Sequence, residues 1–214
     1  MKRYKEVFEN NKKWIAEKTA ADKDFFQRLS KEQKPDFLFI GCSDSRVEAN
    51  EIMGMEAGDV FVQRNIANIV DNNDVNVQAV IQYAVEYLDV KYIVICGHYG
   101  CGGIKAAMKP TDMGILNCWL RNITDVYRMH YDELKSIQDE EVRYRRLVEL
   151  NVQEQCFNVA KIASVQKAYL DGKLKGVFGW VYDIHDGLLK DLKVDIQSLV
   201  AKNVDIITLN GLKA

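Results

Sequence analysis

Two short segments carry the residue types that could do chemistry. Gly41-Cys42-Ser43-Asp44-Ser45-Arg46 follows one apolar run, and Gly97-His98-Tyr99-Gly100-Cys101-Gly102-Gly103 follows another. Two thiolates and one neutral imidazole suit Zn²⁺ in tetrahedral geometry. Three protein ligands leave the fourth position to water or substrate, which is the catalytic arrangement, whereas a structural site needs a fourth protein ligand. Cys42, His98 and Cys101 are therefore candidate zinc ligands, with one ion per subunit. Asp44 and Arg46 stand close behind Cys42. As an isolated surface pair they would contribute little. Beside a metal, Asp44 could accept a proton from bound water or take the fourth position itself. Arg46 would hold that carboxylate by a forked hydrogen bond and keep it ionised.

Other readings of the same residues are weaker. Tyr99 occupies the second glycine position of a dinucleotide loop, so the G-x-G-x-x-G pattern fails. Cys42 and Arg46 are too close in sequence for the phosphate cradle of a cysteine phosphatase. Neither candidate thiol belongs to a C-x-x-C pair, which argues against thiol redox chemistry. Cys118, in ILNCWL, is the one candidate for a fourth ligand, but a buried helical face accounts for it more simply. Cys96 and Cys156 read as core. His130 and His185 fall in solvent-facing or turn contexts and are given no chemistry. The glycines around His98 make either a tight turn or a close approach to a small ligand.

The elements that must position these segments are legible as patterns. DFLFI at 36–40, DVFVQRN at 59–65, KYIVIC at 91–96 and KGVFGWVYDI at 175–184 read as strands. The turn His185-Asp186-Gly187 and the LLKDL that follows suggest a hairpin. Helical periodicity covers 74–89, 101–109, 115–130 and 139–171. Alternating apolar strands and helices predict an α/β domain with a mostly parallel central sheet, about four strands plus an edge strand or hairpin, flanked by helices. Ligands of such sheets gather at the carboxyl ends of the strands, where both chemical segments lie. Residues 1–31 predict a helical arm, meeting a second helix near Ala20–Ala21, whose apolar residues have little core of their own. The arm is expected to pack on the domain or on a partner subunit, and 1–214 is read as one domain.

Composition narrows the class. The 214 residues carry 29 Lys and Arg against 31 Asp and Glu, a net charge of −2, with no sign of a nucleic-acid or membrane-surface partner. No apolar stretch has the length of a transmembrane span or the form of a signal peptide. Five cysteines, an odd number, argue against a disulfide framework and for a reduced, cytoplasmic setting.

The pair C-S-D-S-R and G-H-x-x-C-G-G, some fifty residues apart, resembles the signature of the β-class carbonic anhydrases, and the bacterial branch most of all. The similarity extends to RNIAN at 64–68 and GWVYDIHDG at 179–187. This resemblance implies reversible hydration of CO₂ to bicarbonate and a proton, by attack of zinc-bound hydroxide, with Cys42, His98 and Cys101 as ligands and Asp44–Arg46 as the catalytic dyad. It implies self-association as a dimer or dimer of dimers, with the N-terminal helices embracing the neighbour. Gln33, Phe61, Ile66, Tyr83 and Gly102 would form the CO₂ site across the dimer interface. Without the resemblance, Phe61, Ile66 and Tyr83 read as core.

Some relatives carry a regulatory bicarbonate site of Trp, Arg and Tyr. Arg64 and Tyr182 match two of those positions, but Phe39 stands at the third and lacks an indole N–H. Two thiolates also cancel the charge of a zinc ion, so water should be acidified less than in a site of three histidines, and activity should rise with pH on the alkaline side of neutrality. A zinc hydrolase acting on CS₂, or a zinc module without turnover, are the competing readings.

Overall fold

The computed structural model describes residues 2–195, which divide between two compact units, Met1–Lys34 and Pro35–Ala214. The first unit holds α1 (Lys2–Ala21) and the short α2 (Phe25–Leu29). Trp14, Phe25 and Phe26 meet edge to face, with centroids 5.0–6.3 Å apart. Phe25 is buried among them, while α1 buries none of its residues.

The second unit is a five-stranded sheet in the order β2-β1-β3-β4-β5. Its strands are β1 (Phe37–Cys42), β2 (Val60–Asn65), β3 (Tyr92–His98), β4 (Gly176–Tyr182) and β5 (Leu189–Asp191). The first four run parallel, and β5 pairs antiparallel with β4. This is the α/β class expected from the sequence. The central strands β1 and β3 are buried on both faces, which explains their continuous apolar runs. From β1 the chain moves to β2 on one side, and from β3 to β4 on the other. The crevice beyond the carboxyl ends of β1 and β3 therefore lies at the switch point of the sheet, where such folds place ligands. Register brings the chemical segments to that one edge. Gly41 is level with Cys96 and Arg64, Cys42 with Asn65, and His98 with Tyr182.

The remaining helices are α3 (Ala49–Met53), α4 (Val75–Glu86), α5 (Gly102–Ala107), α6 (Leu116–Met129), α7 (Tyr131–Ser136), α8 (Glu140–Ala160) and α9 (Ala163–Leu170). The helix read over 139–171 is thus two, because Ile162 adopts extended backbone (φ −74°, ψ 125°) between α8 and α9. Cys118 is exposed, contrary to expectation. The buried stripe of α6 is Leu120, Ile123 and Val126, and a residue two before Leu120 falls on the opposite face. His130 is half-buried rather than solvent-facing, and its Nε2 meets Glu154 Oε1 at 2.9 Å. Ile66 and Tyr83 are not core, at 39% and 44% exposed, while Phe61 is half-buried and packs against the core.

Candidate metal centre

Cys42 ends β1, His98 ends β3, and Cys101 opens α5 three residues later. Their ligand atoms all lie within 4.8 Å of one another, and all three residues are buried. The two sulfurs are 3.9 Å apart. Two Zn–S bonds of about 2.3 Å at a tetrahedral angle would place the sulfurs about 3.8 Å apart. His98 supplies a second test of fit. Its Nδ1 lies 3.1 Å from the Tyr99 carbonyl oxygen, which can only accept, so Nδ1 carries the proton and Nε2 presents a bare lone pair. Nε2 is buried and has no hydrogen-bond partner. A buried, unpaired acceptor beside two thiols is what a metal ligand looks like before the metal is counted. The residues fit zinc. Cys118 lies outside this cluster, which is the one group of its kind among the described residues.

The two sulfurs are electrostatically unequal. A hydrogen bond from the Cys101 thiol holds Cys42 well below the usual thiol range. Burial opposes this, while the Ala67 N–H reinforces it. The same pairing, together with burial, pushes Cys101 up. Cys96, fully buried in the sheet, is pushed up to about 12 by burial, and burial raises Cys156 as well. Those two thiols are inert packing groups.

Asp44 is gripped by Arg46. Asp44 Oδ1 accepts from Arg46 Nε at 2.8 Å and from the Arg46 backbone N–H at 3.0 Å, and Oδ2 accepts from Nη2 at 2.7 Å. Arg46 Nη2 also reaches the Gly100 carbonyl at 3.4 Å, tying the loop after β1 to the loop after β3. Asp44 Oδ2 is 3.8 Å from His98 Nε2, so the carboxylate borders the metal position while both its oxygens are held by Arg46. Those hydrogen bonds, chiefly from the Arg46 side chain, hold the Asp44 carboxyl well below the ordinary carboxylate range. A depressed carboxylate is charged at every pH above its unfolded value, so Asp44 contributes no inflection to an activity profile between pH 5 and 10. In Arg46→Met the carboxyl loses its largest depressing contact. If the site turns over a substrate, its activity profile in this variant should show an acid-side inflection that is higher than in the parent protein.

The glycines divide by function. A Cβ on Gly97 would meet Val152 Cγ2 of α8 at 2.6 Å, and one on Gly103 would meet Ile66 Cγ2 at 2.7 Å, so both make room for protein rather than ligand. Gly100 has φ +82°, a conformation that L side chains rarely adopt. Gly102 has open space around the position a Cβ would take.

Arg64 has a role that residue type alone did not reveal. Its Nε donates to the Cys42 carbonyl at 2.9 Å, its Nη2 to the Asp44 carbonyl at 2.5 Å, and its Nη1 pairs with Glu48 at 2.9 Å. It pins the backbone of the ligand loop from the neighbouring strand. Phe39, level with Val62 in the sheet, is fully buried. Tyr182 is half-buried, and its carbonyl accepts from the Tyr99 N–H at 3.0 Å. Ile66 lies in a 3-10 turn, Ile66–Asn68, and its carbonyl accepts from Trp119 Nε1 at 2.8 Å. The Phe61 and Tyr83 rings stand 5.8 Å apart, and Tyr83 stacks on Tyr87. Gln33 belongs to the N-terminal unit and is exposed there.

Residues 37–189 match the family model described as carbonic anhydrase. A carbonic anhydrase of Emericella nidulans is 56% identical over 195 residues, 91% of this chain and 86% of that protein. A tetrameric β-carbonic anhydrase of Sordaria macrospora superposes with a TM-score of 0.86 at 39% identity, over 90% of this chain and 98% of that one. The β-carbonic anhydrase CafA of Aspergillus fumigatus gives 0.89 at 36%, over 96% and 99%. These relatives are fungal, and the bacterial affiliation suggested by the two motifs is not supported. The motifs carry the candidate ligands and the Asp44–Arg46 pair, residue types that zinc chemistry would need whatever the branch. With its sulfur and imidazole cluster at the switch point of a parallel sheet, this chain belongs to the β-class carbonic anhydrases.

Proposed function

We infer that the protein is a zinc-dependent carbonic anhydrase that interconverts CO₂ with bicarbonate and a proton. The observation that carries this reading is the buried Cys42–His98–Cys101 cluster, with its unpaired Nε2 bordered by the Asp44–Arg46 pair. Bound by these three residues, zinc supplies Lewis acidity, so that water beside it ionises near working pH.

The chain supplies the rest. The Tyr99 carbonyl fixes the His98 tautomer. Asp44, kept ionised by Arg46, accepts at Oδ2 the proton that the attacking water gives up. Arg46 in turn keeps both carboxylate oxygens from swinging away. Half-buried Phe61 and exposed Ile66 and Tyr83 form the wall against which CO₂ rests. Gly102 leaves the approach open, and Gln33 of a neighbouring subunit offers its amide. The roles of Asp44, Arg46, His98, Ile66 and Gly102 are supported by their place in the family motifs, and those of Phe61 and Tyr83 by the 5.8 Å approach of their rings.

Self-association is supported by the exposed apolar residues of the N-terminal unit, Tyr4, Val7, Phe8, Trp14 and Ile15, and by the tetrameric Sordaria relative. We place those residues against a second copy of the chain. No helix among the described residues is long and apolar enough to cross a membrane. The five cysteines, none of them in a disulfide, support a reducing cytoplasmic setting. A bicarbonate at Arg64 and Tyr182 would have to compete with Cys42 O, Asp44 O and Glu48 for the guanidinium, and would be felt at the site by loosening that loop.

Stopped-flow hydration of CO₂ tests the function. The purified protein should turn over, lose activity after prolonged dialysis against a zinc chelator, and regain it with added Zn²⁺. CS₂ should be neither hydrolysed nor competitive. Inert, zinc-loaded protein would leave the binding-module reading in place.

A further inference from the structure

Residues 65–70 run on from the last residue of β2 and include two consecutive non-glycine residues in the left-handed region, Ala67 (φ 65°) and Asn68 (φ 50°). Alanine there is strained, and such backbone persists only where its surroundings over-determine it. The surroundings do so. The Ile69 N–H and carbonyl are both bonded by the Asn65 side chain, each at 2.7 Å. The Ala67 carbonyl accepts from Asn151 Nδ2 at 3.0 Å. The Val70 N–H donates to Gln155 Oε1 at 2.8 Å, and the Val70 carbonyl accepts from Asn158 Nδ2 at 3.1 Å. Asn151, Gln155 and Asn158 lie four and three residues apart on α8, so they form one ladder along one face. Gln155 bonds to both of its neighbours. Asn151 and Gln155 are each 1% exposed, amid the apolar stripe of Leu147, Val148, Val152, Cys156 and Val159.

Burying amides there is costly unless they fix something that matters. What they fix is the one backbone N–H of this turn aimed at the metal centre: Ala67 N donates to Cys42 Sγ at 3.4 Å. We propose that the Asn151–Gln155–Asn158 ladder of α8 is a positioning device for the metal, holding the strained turn so that the Ala67 N–H donates to the Cys42 thiolate. A thiolate so bonded is less basic, gives less charge to the metal, and is held in its binding orientation. Outer-shell partners of this kind govern metal affinity about 10- to 100-fold. The inference rests on the zinc reading of the cluster.

The test uses the full-length holoenzyme and two readouts other than turnover. Zinc affinity is measured by competition with a chromophoric chelator, and the thiolate-to-metal charge-transfer band is recorded after Co²⁺ substitution. Asn151→Leu removes the donor to Ala67 O at similar volume. It should weaken zinc binding roughly 10-fold or more, and it should shift the cobalt band to lower energy, because a thiolate relieved of its hydrogen bond is more easily oxidised. Val159→Ala, a cavity on the same helix, is the control. It should lower the unfolding midpoint and leave both metal readouts unchanged. Should Asn151→Leu not fold, Asn158→Ala, at the half-buried end of the ladder, should move both readouts in the same direction by a smaller amount. Ladder variants that fold and match Val159→Ala in affinity and band position overturn the proposal. A parent protein that takes up neither zinc nor cobalt overturns the metal reading itself.

Discussion

Asp44→Asn should retain a full complement of zinc and lose most of its turnover. Asparagine keeps the shape of the side chain, and Asp44 is not one of the three clustered ligands, so metal content and unfolding midpoint should change little. What disappears is the negative charge. The Arg46 fork now makes two hydrogen bonds to Asp44 oxygens, at 2.8 and 2.7 Å. An amide presents one oxygen and an N–H₂, which leaves Nε or Nη2 facing a donor. The acceptor for the proton of the attacking water goes with the charge. Positioned proton transfer contributes roughly 10²- to 10⁴-fold to rate, and the loss in kcat should fall in that range. The measurement is stopped-flow CO₂ hydration alongside metal analysis of the same sample. Unchanged kcat would remove Asp44 from the mechanism, and loss of zinc would show the carboxylate to be a ligand instead.

Cys42→Ser should lose the zinc. Cys42 is 5% exposed, its sulfur lies 3.9 Å from that of Cys101, and it accepts the Ala67 N–H. A serine hydroxyl is shorter, harder and not ionised near neutral pH, so the site keeps one thiolate and one imidazole. Affinity should fall by more than the roughly 10- to 100-fold that an outer-shell partner is worth, and activity should vanish with the metal. The sheet does not depend on this sulfur. Gly41 and its neighbours remain paired with β2 and β3, so the variant should fold. Its unfolding midpoint should be lower by the lost linkage to zinc and should no longer respond to added Zn²⁺. A variant that binds zinc as the parent does would exclude Cys42 as a ligand.

Much of this site could be read from the chain. Thiols, imidazole and dyad were legible because they differ in type from everything around them and because both segments follow apolar runs. β1 and β3 were visible as strands because burial on both faces leaves no polar interruption. The edge strand β5 was visible through its turn. The break between α8 and α9 was not, since Lys161 and Ile162 carry no glycine or proline to mark it. Without the resemblance, exposed Ile66 and Tyr83 read as core, because apolar type does not say whether a face is covered by its own chain or open.

The support around the metal was the least legible part. Arg64 looked like an anion-binding arginine, and only the register of β2 against β1 turns it toward the Cys42 and Asp44 carbonyls. The ladder of α8 did leave a trace. Asn151, Gln155 and Asn158 interrupt an apolar helical stripe at helical spacing, and buried amides at such positions need backbone partners. Nothing in the sequence says that those partners are the strained residues beside a metal ligand. That knowledge requires the contact across 84 residues between Asn151 and Ala67.

X-ray absorption at the zinc K edge of the purified, reduced protein tests the central claim most directly. Cys42, His98 and Cys101 predict one zinc per chain with two sulfurs at about 2.3 Å and nitrogen or oxygen at about 2.0–2.1 Å. A shell without sulfur, or one of three or four sulfurs, would contradict it.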